Sequence, residues 1–181
     1  MDDKRIEIEK NEKLKIRIGA LYDKGKQSIL ILWLVLWSCA GIGIAAQFFI
    51  PHDESMNAYL LVWLGFWAYF EYKVIYAYRW RMWGEEILIL DGDEMTLLKK
   101  IKERGIPKKF EINLVRNPEI LKEEENSLVK MMSSAYWNVG RENLVFEYQG
   151  KDVFFGKELN EKDSKNILKL IQSYLNRSRS S

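Results

Sequence analysis

Histidine and cysteine are almost absent from this sequence: 181 residues hold one of each, His52 and Cys39. A lone cysteine cannot close a disulfide framework or build a thiolate metal site within one copy of the chain. Cys39 also lies inside a long apolar block, where it reads as a small packing residue. A lone histidine excludes a bis-histidine haem and a histidine-rich metal cluster within one chain. His52 falls in a short polar turn and reads as a solvated loop residue. There is no GxxxxGK(S/T) phosphate loop and no GxGxxG following a strand; Gly41 and Gly43 sit in the apolar block and read as packing positions. Neither sign of charge dominates, with 28 Lys and Arg against 26 Asp and Glu, which speaks against nucleic acid as a partner. No nucleophile, base and orienting group can be assembled, so the chain is expected to be no enzyme and to carry no cofactor or metal.

A regional absence says more. Mean hydropathy over the chain is negative, yet from Gln27 through His52 there is no Asp, Glu, Lys or Arg. Ser28 to Ile50 reads SILILWLVLWSCAGIGIAAQFFI, long enough at about 1.5 Å per residue to cross roughly 30 Å of hydrocarbon. A second run from Ser55 to Phe70 continues past Glu71 and Lys73 to Arg79 and supplies a more polar span from about Ala58 to Tyr78. The link between them, PHDESMN, is short and has no Lys or Arg, so the spans are expected to be antiparallel neighbours in one hairpin, residues 28–78. The flank before the first span holds Lys4, Arg5, Lys10, Lys13, Lys15, Arg17, Lys24 and Lys26, and Arg79 and Arg81 follow the second. Cationic flanks stay cytoplasmic, so the chain reads as a multi-pass protein of the plasma (inner) membrane with both termini inside. A cleaved signal peptide would have a shorter apolar region followed by translocated sequence, not a second span.

Within the hairpin, Arg79, Trp80, Arg81 and Trp83 read as an interfacial anchor of amphipathic rings beside snorkelling cations. Trp33 and Trp37, and Trp63 and Trp67, are each four apart and share a helix face. Trp37 and Trp67 fall near the midplane, suited to packing across the hairpin or to lining a site for a planar ligand. Small residues from Ser38 to Ala46, with Gly41 and Ala45 spaced as a small-xxx-small pair, permit close approach of the helices or of another protein. Glu71 and Lys73 are the charges inside the second span; about 200° apart on a helix, they do not pair with each other. An intramembrane ionisable group is a functional candidate, although both lie close enough to the cytoplasmic end to reach the interface.

After Gly84 the pattern changes to short alternating segments. Ile87 to Leu90, Asp91-Gly92 and Met95 to Leu98 read as strand, tight turn and strand. Gly105 and Pro107 break the chain before a strand of Phe110, Ile112 and Leu114, and Glu119 to Lys122 is expected to form another after the Asn117-Pro118 turn. Residues 123–127 read as polar loop, and 129–140 carry no clear signal. Leu144, Phe146 and Tyr148, then Gln149-Gly150, then Val153 and Phe155 predict a second hairpin. Asn160 caps a terminal helix with an Ile167, Leu168, Ile171, Tyr174 and Leu175 stripe. Residues 1–27 alternate as well, Ile6 and Ile8 against Leu14, Ile16 and Ile18, which predicts a hairpin that docks on the C-terminal sheet or the membrane surface beside it. Residues 79–181 then form an α+β domain, an antiparallel sheet or barrel closed by one helix.

In this order the segments WGEEILILDGDEMTLL, KKFEINLVRNPEIL and ENLVFEYQGKDVFFGKELNEKDSKNILKLI resemble a broad group of bacterial two-span proteins with a pleckstrin-homology-like (PH-like) cytoplasmic domain. Gly156, between the last strand and the helix, fits the ending of that group. The layout is also similar to the two-helix photosystem I assembly factor of cyanobacteria and plastids, whose characteristic sequence after the second span is not matched. The resemblance implies a PH-like fold and brings no catalytic residues.

Three functions fit these features. The first is a membrane-anchored scaffold or assembly factor that holds a protein partner, or a second copy of itself, near the bilayer. The second is an anionic-lipid sensor using the basic stretch Lys99, Lys100, Lys102, Arg104, Lys108 and Lys109. The third is an accessory subunit of a membrane enzyme acting through Glu71 and the tryptophan pairs.

Overall fold

A computed structural model describes residues 5–51, 53–121 and 140–180. His52, the 123–127 loop and all but the last residue of 129–140 lie outside the described residues. The N-terminal alternation forms β1 (Ile6–Lys10) and β2 (Leu14–Gly19), antiparallel, with Ile6 opposite Ile18 and Ile8 opposite Ile16. β2 pairs in turn with β3 (Gly84–Asp91), Ile16 opposite Leu88. Two neighbouring strands of one sheet are therefore joined by everything between residues 20 and 83, and that connection is a pair of long helices.

The first, α1 (Lys24–Ala46), starts at Asp23, whose Oδ1 accepts the N–H groups of Gly25 at 2.9 Å and Lys26 at 3.1 Å. A 3-10 turn (Gln47–Phe49) and a short link lead to α2 (Glu54–Trp83). The helices pack antiparallel: Trp67 Nε1 donates to the Trp37 carbonyl at 2.9 Å, and Trp37 Nε1 reaches the Trp67 carbonyl at 3.4 Å. Of the two readings of this pair, interhelical packing is the one the structure contains. Gly41 makes room for the Trp67 ring, since a Cβ there would lie 2.1 Å from a ring carbon. Ser38 Oγ donates to Glu71 Oε1 at 2.7 Å, so the carboxylate faces the partner helix rather than the interface. Lys73 lies over the Tyr69 ring at 5.6 Å.

Lys24–Phe49 is long and apolar enough to cross a membrane. α2, at 30 residues, has the length but not the same apolar character, because Glu71, Lys73 and five tyrosines dilute it. Along both helices, large apolar side chains such as Leu32, Leu36, Ile42, Leu61, Val62 and Phe66 are exposed.

α2 passes without a loop into β3, and the chain continues through β4 (Glu94–Ile101), β5 (Arg104–Glu111), β6 (Val115–Ile120), β7 (Glu142–Tyr148) and β8 (Lys151–Lys157) to α3 (Glu161–Ser180). Two antiparallel sheets result, ordered β1-β2-β3-β4-β5 and β6-β7-β8. Their inward faces share one core in which Ile16, Leu88, Leu90, Leu97, Phe146 and Phe155 meet Ile167, Ile171 and Leu175 of α3. Each such side chain taken from water contributes about 2 kcal/mol. Asn160 caps α3 through Oδ1, which accepts the Asp163 N–H at 2.7 Å.

Two expected strand boundaries differ. β5 begins at Arg104, not near Phe110, and contains both Gly105 and Pro107. Among the described residues it is an edge strand, where the missing proline N–H interrupts no ladder. It also stops at Glu111, because Ile112–Leu114 wind into a 3-10 turn that puts Ile112 and Val115 in the core. β6 begins at Val115, before Asn117-Pro118; those residues form an irregularity inside the strand, with Asn117 at φ 47° and the register to β7 shifted between Arg116 and Glu119.

Candidate functional site

The alternation that sends Leu88 and Leu90 of β3 into the core sends Glu86 inward too, and its side chain is 2% exposed. A buried carboxylate needs donors, and the opposite sheet supplies them. Glu86 Oε2 accepts the backbone N–H of Gly156 at 2.6 Å and of Lys157 at 2.9 Å, where β8 ends. Gly156 has φ 75°, and a Cβ on it would lie 2.7 Å from Leu159 Cδ1, so glycine meets both demands there. Lys99 Nζ stands 3.5 Å from Glu86 Oε1 while donating to Glu142 Oε1 at 2.6 Å and to the Phe154 carbonyl at 2.7 Å. Arg5 adds a third tie, donating to the Gly19, Lys157 and Glu158 carbonyls at 2.7, 2.5 and 3.0 Å. The sheets are thus fastened at the end that meets the helices. Burial pushes the Glu158 carboxyl above its usual range and the Lys157 ammonium below its own.

The expected interfacial anchor divides. Trp80 and Arg81 are only 3% and 7% exposed, because α2 turns this face under the domain as it enters β3. Lys157 Nζ lies 4.4 Å from the centre of the Trp80 ring. Arg79 and Trp83 face outward.

The basic stretch divides as well. Lys99 is inside the seam, Lys100 lies 3.5 Å from Glu85, Lys102 Nζ sits 3.9 Å over the Trp83 ring, and Lys109 pairs with Glu94 at 3.1 Å. Arg104 and Lys108 have no ion pair among the described residues, and they point to different places. Lys108 borders a cleft of about 440 Å³ between the edges of β5 and β8 that are unpaired among the described residues, floored by Leu97, Ile106, Val153 and Phe154, with Glu142 and Asp152 at its polar rim. Ile106 is 83% exposed there. Arg104 instead joins Arg79 at a second cleft, about 220 Å³, where the β4–β5 turn meets the end of α2.

Glu86, Glu142 and Lys157 are not singled out by the sequence, and Arg5 is read there only as a flank cation. For Glu86 a signal existed, since it shares the period-two face of Leu88 and Leu90; the others meet only through contacts between distant segments. Among the described residues no group of His, Cys, Asp and Glu is arranged to hold a metal ion. No protein-family model matches the chain, and no curated protein matches it in sequence.

Proposed function

We propose that the chain is a membrane-anchored, non-enzymatic scaffold or assembly factor: α1 and α2 cross the bilayer as a hairpin, and a PH-like domain at the cytoplasmic face offers the β5–β8 cleft to an extended segment of a protein partner. The observation that carries this reading is the insertion of the helical pair between the paired strands β2 and β3. Entry and exit of the hairpin are held by one ladder, so the domain cannot swing from a flexible tether and the cleft is offered at a fixed height. Exposed apolar side chains along both helices support burial in lipid, since a patch of that extent is unfavourable in water. The excess of Lys and Arg on the N-terminal flank and at Arg79 and Arg81 supports a cytoplasmic domain.

At the cleft, β5 is paired on one side only among the described residues. Its outer edge offers backbone donors and acceptors to an added strand, and the apolar floor offers a place for alternate side chains. A photo-crosslinking amino acid at Ile106 or Phe154 should yield one discrete adduct in membranes, and the same residue at Glu12 should yield none. Native mass spectrometry from mild detergent should then return the chain with a stoichiometric protein partner. A bare chain, with no adduct at either cleft position, contradicts the proposal.

A further inference from the structure

From the second cleft we infer that the chain holds one anionic phospholipid, its phosphate clamped between Arg79 of α2 and Arg104 of β5. The inference rests on the membrane placement proposed above. The cleft is a fixed part of the fold: the Lys102 N–H donates to the Trp83 carbonyl at 3.1 Å and Lys102 Nζ stacks on the Trp83 ring at 3.9 Å, so the β4–β5 turn is pinned to the helix end. One wall is an aromatic ladder on α2, with Tyr72 and Tyr76 at 6.5 Å and Tyr76 and Trp80 at 6.5 Å between ring centres. Ile101 and Arg104 close the other side, and among the described residues no carboxylate lines the space.

The charges fit one occupant. Lys99, which also borders the cleft, is already neutralised by Glu142 at 2.6 Å. Arg79 and Arg104 have neither a hydrogen bond nor an ion pair among the described residues, and two free guanidinium groups present forked donors to phosphate oxygens. A helix C-terminus ordinarily repels anions. Here the Trp80 and Trp83 carbonyls are taken by the N–H groups of Gly84 and Lys102. From Arg79 back to Tyr72 is seven residues, roughly 10 Å of helix, which carries the ligand from headgroup depth to chain depth. Tyr72 and Ile75, both exposed, line that path and suit acyl chains. A phosphate alone would use the guanidinium pair but not this apolar wall.

The test uses the full chain, extracted in mild detergent after carbonate washing of the membranes, and native mass spectrometry with three probes: dioleoyl phosphatidylglycerol, dioleoyl phosphatidylcholine and glycerol 3-phosphate. One phosphatidylglycerol should be retained per chain in preference to phosphatidylcholine, and glycerol 3-phosphate should not compete with it. Arg79→Gln and Arg104→Gln should each weaken retention about fivefold and the double variant about 25-fold. Arg116→Gln, an exposed cation elsewhere on the domain, should leave it unchanged. Equal retention of both lipids, or a double variant that binds like the parent, overturns the lipid site while a carbonate-resistant pellet leaves the membrane reading standing. Competition by glycerol 3-phosphate at equal strength assigns the cleft to free phosphate and overturns it too. Release of the protein by carbonate overturns both readings.

Discussion

Glu86 Oε2 accepts the Gly156 N–H at 2.6 Å across 70 positions of sequence, binding the third strand to the eighth inside the core. Removing the carboxylate leaves the buried Gly156 N–H and the part-buried Lys157 N–H without their acceptor, while Lys99 keeps Glu142 and the Phe154 carbonyl. Glu86→Ala should cost about 3 kcal/mol in chemical denaturation of the full chain in detergent. Glu86→Gln, which keeps one acceptor oxygen, should cost less than half of that.

The helical pair offers a controlled comparison. A Cβ at Gly41 would strike the Trp67 ring, whereas a Cβ at Gly43 meets nothing within 4 Å. Gly41→Ala should lower the thermal midpoint of the detergent-solubilised protein, read by tryptophan fluorescence, while Gly43→Ala should leave it within about a degree or raise it through helix propensity. Equal effects of the two would contradict the packing at Trp67.

Two carboxyl groups titrate in opposite senses. Arg17 donates to both Glu85 oxygens, at 2.6 and 3.0 Å, and holds its carboxyl below the usual range. That stabilisation is complete above the unfolded carboxyl range and disappears as pH falls through the lowered value. Arg17→Gln should therefore flatten the acid side of the stability profile between about pH 5 and pH 2. Burial raises the Glu158 carboxyl, so its contribution is present in acid and is lost as pH rises through the raised value. Glu158→Gln should gain stability relative to the parent as pH is taken from 4 to 8, and a constant difference across that interval would contradict the assignment.

Elements were legible in the sequence where one face is buried and the other solvated. Leu14, Ile16 and Ile18, Leu144 and Phe146, and the Ile167, Ile171 and Leu175 stripe each announce their period, and the structure buries all eight. β5 gives no strand signal because residues 104–109 are exposed on both faces, leaving no alternation and only Gly105 and Pro107 to suggest a break. The start of β6 is hidden because Asn117-Pro118 is a turn dipeptide used here as an irregularity within a strand. The site residues were less legible than the fold. Glu85 and Glu86 look alike in sequence, yet one faces Arg17 at the surface and the other closes the core. Arg79 and Arg104 become neighbours only when the β4–β5 turn is pinned to α2, a contact with no local signature.

Ile106 separates folding from recognition. At 83% exposure it contributes little to the core, so Ile106→Glu should change stability by less than about 0.5 kcal/mol. It should abolish the crosslinked partner adduct measured from Phe154. Retention of that adduct would move the docking surface elsewhere.

Membrane topology is the claim on which the remaining functional readings depend, and cysteine labelling in intact cells reads it most directly. In a Cys39→Ser background, Asp53→Cys in the link between the helices and Asp152→Cys on β8 would be exposed in turn to a membrane-impermeant maleimide. With the hairpin spanning the bilayer and the domain inside, position 53 should be labelled in intact cells and position 152 only after lysis. Labelling of position 152 in intact cells, or recovery of the protein in the supernatant once membranes are pelleted, would contradict that topology.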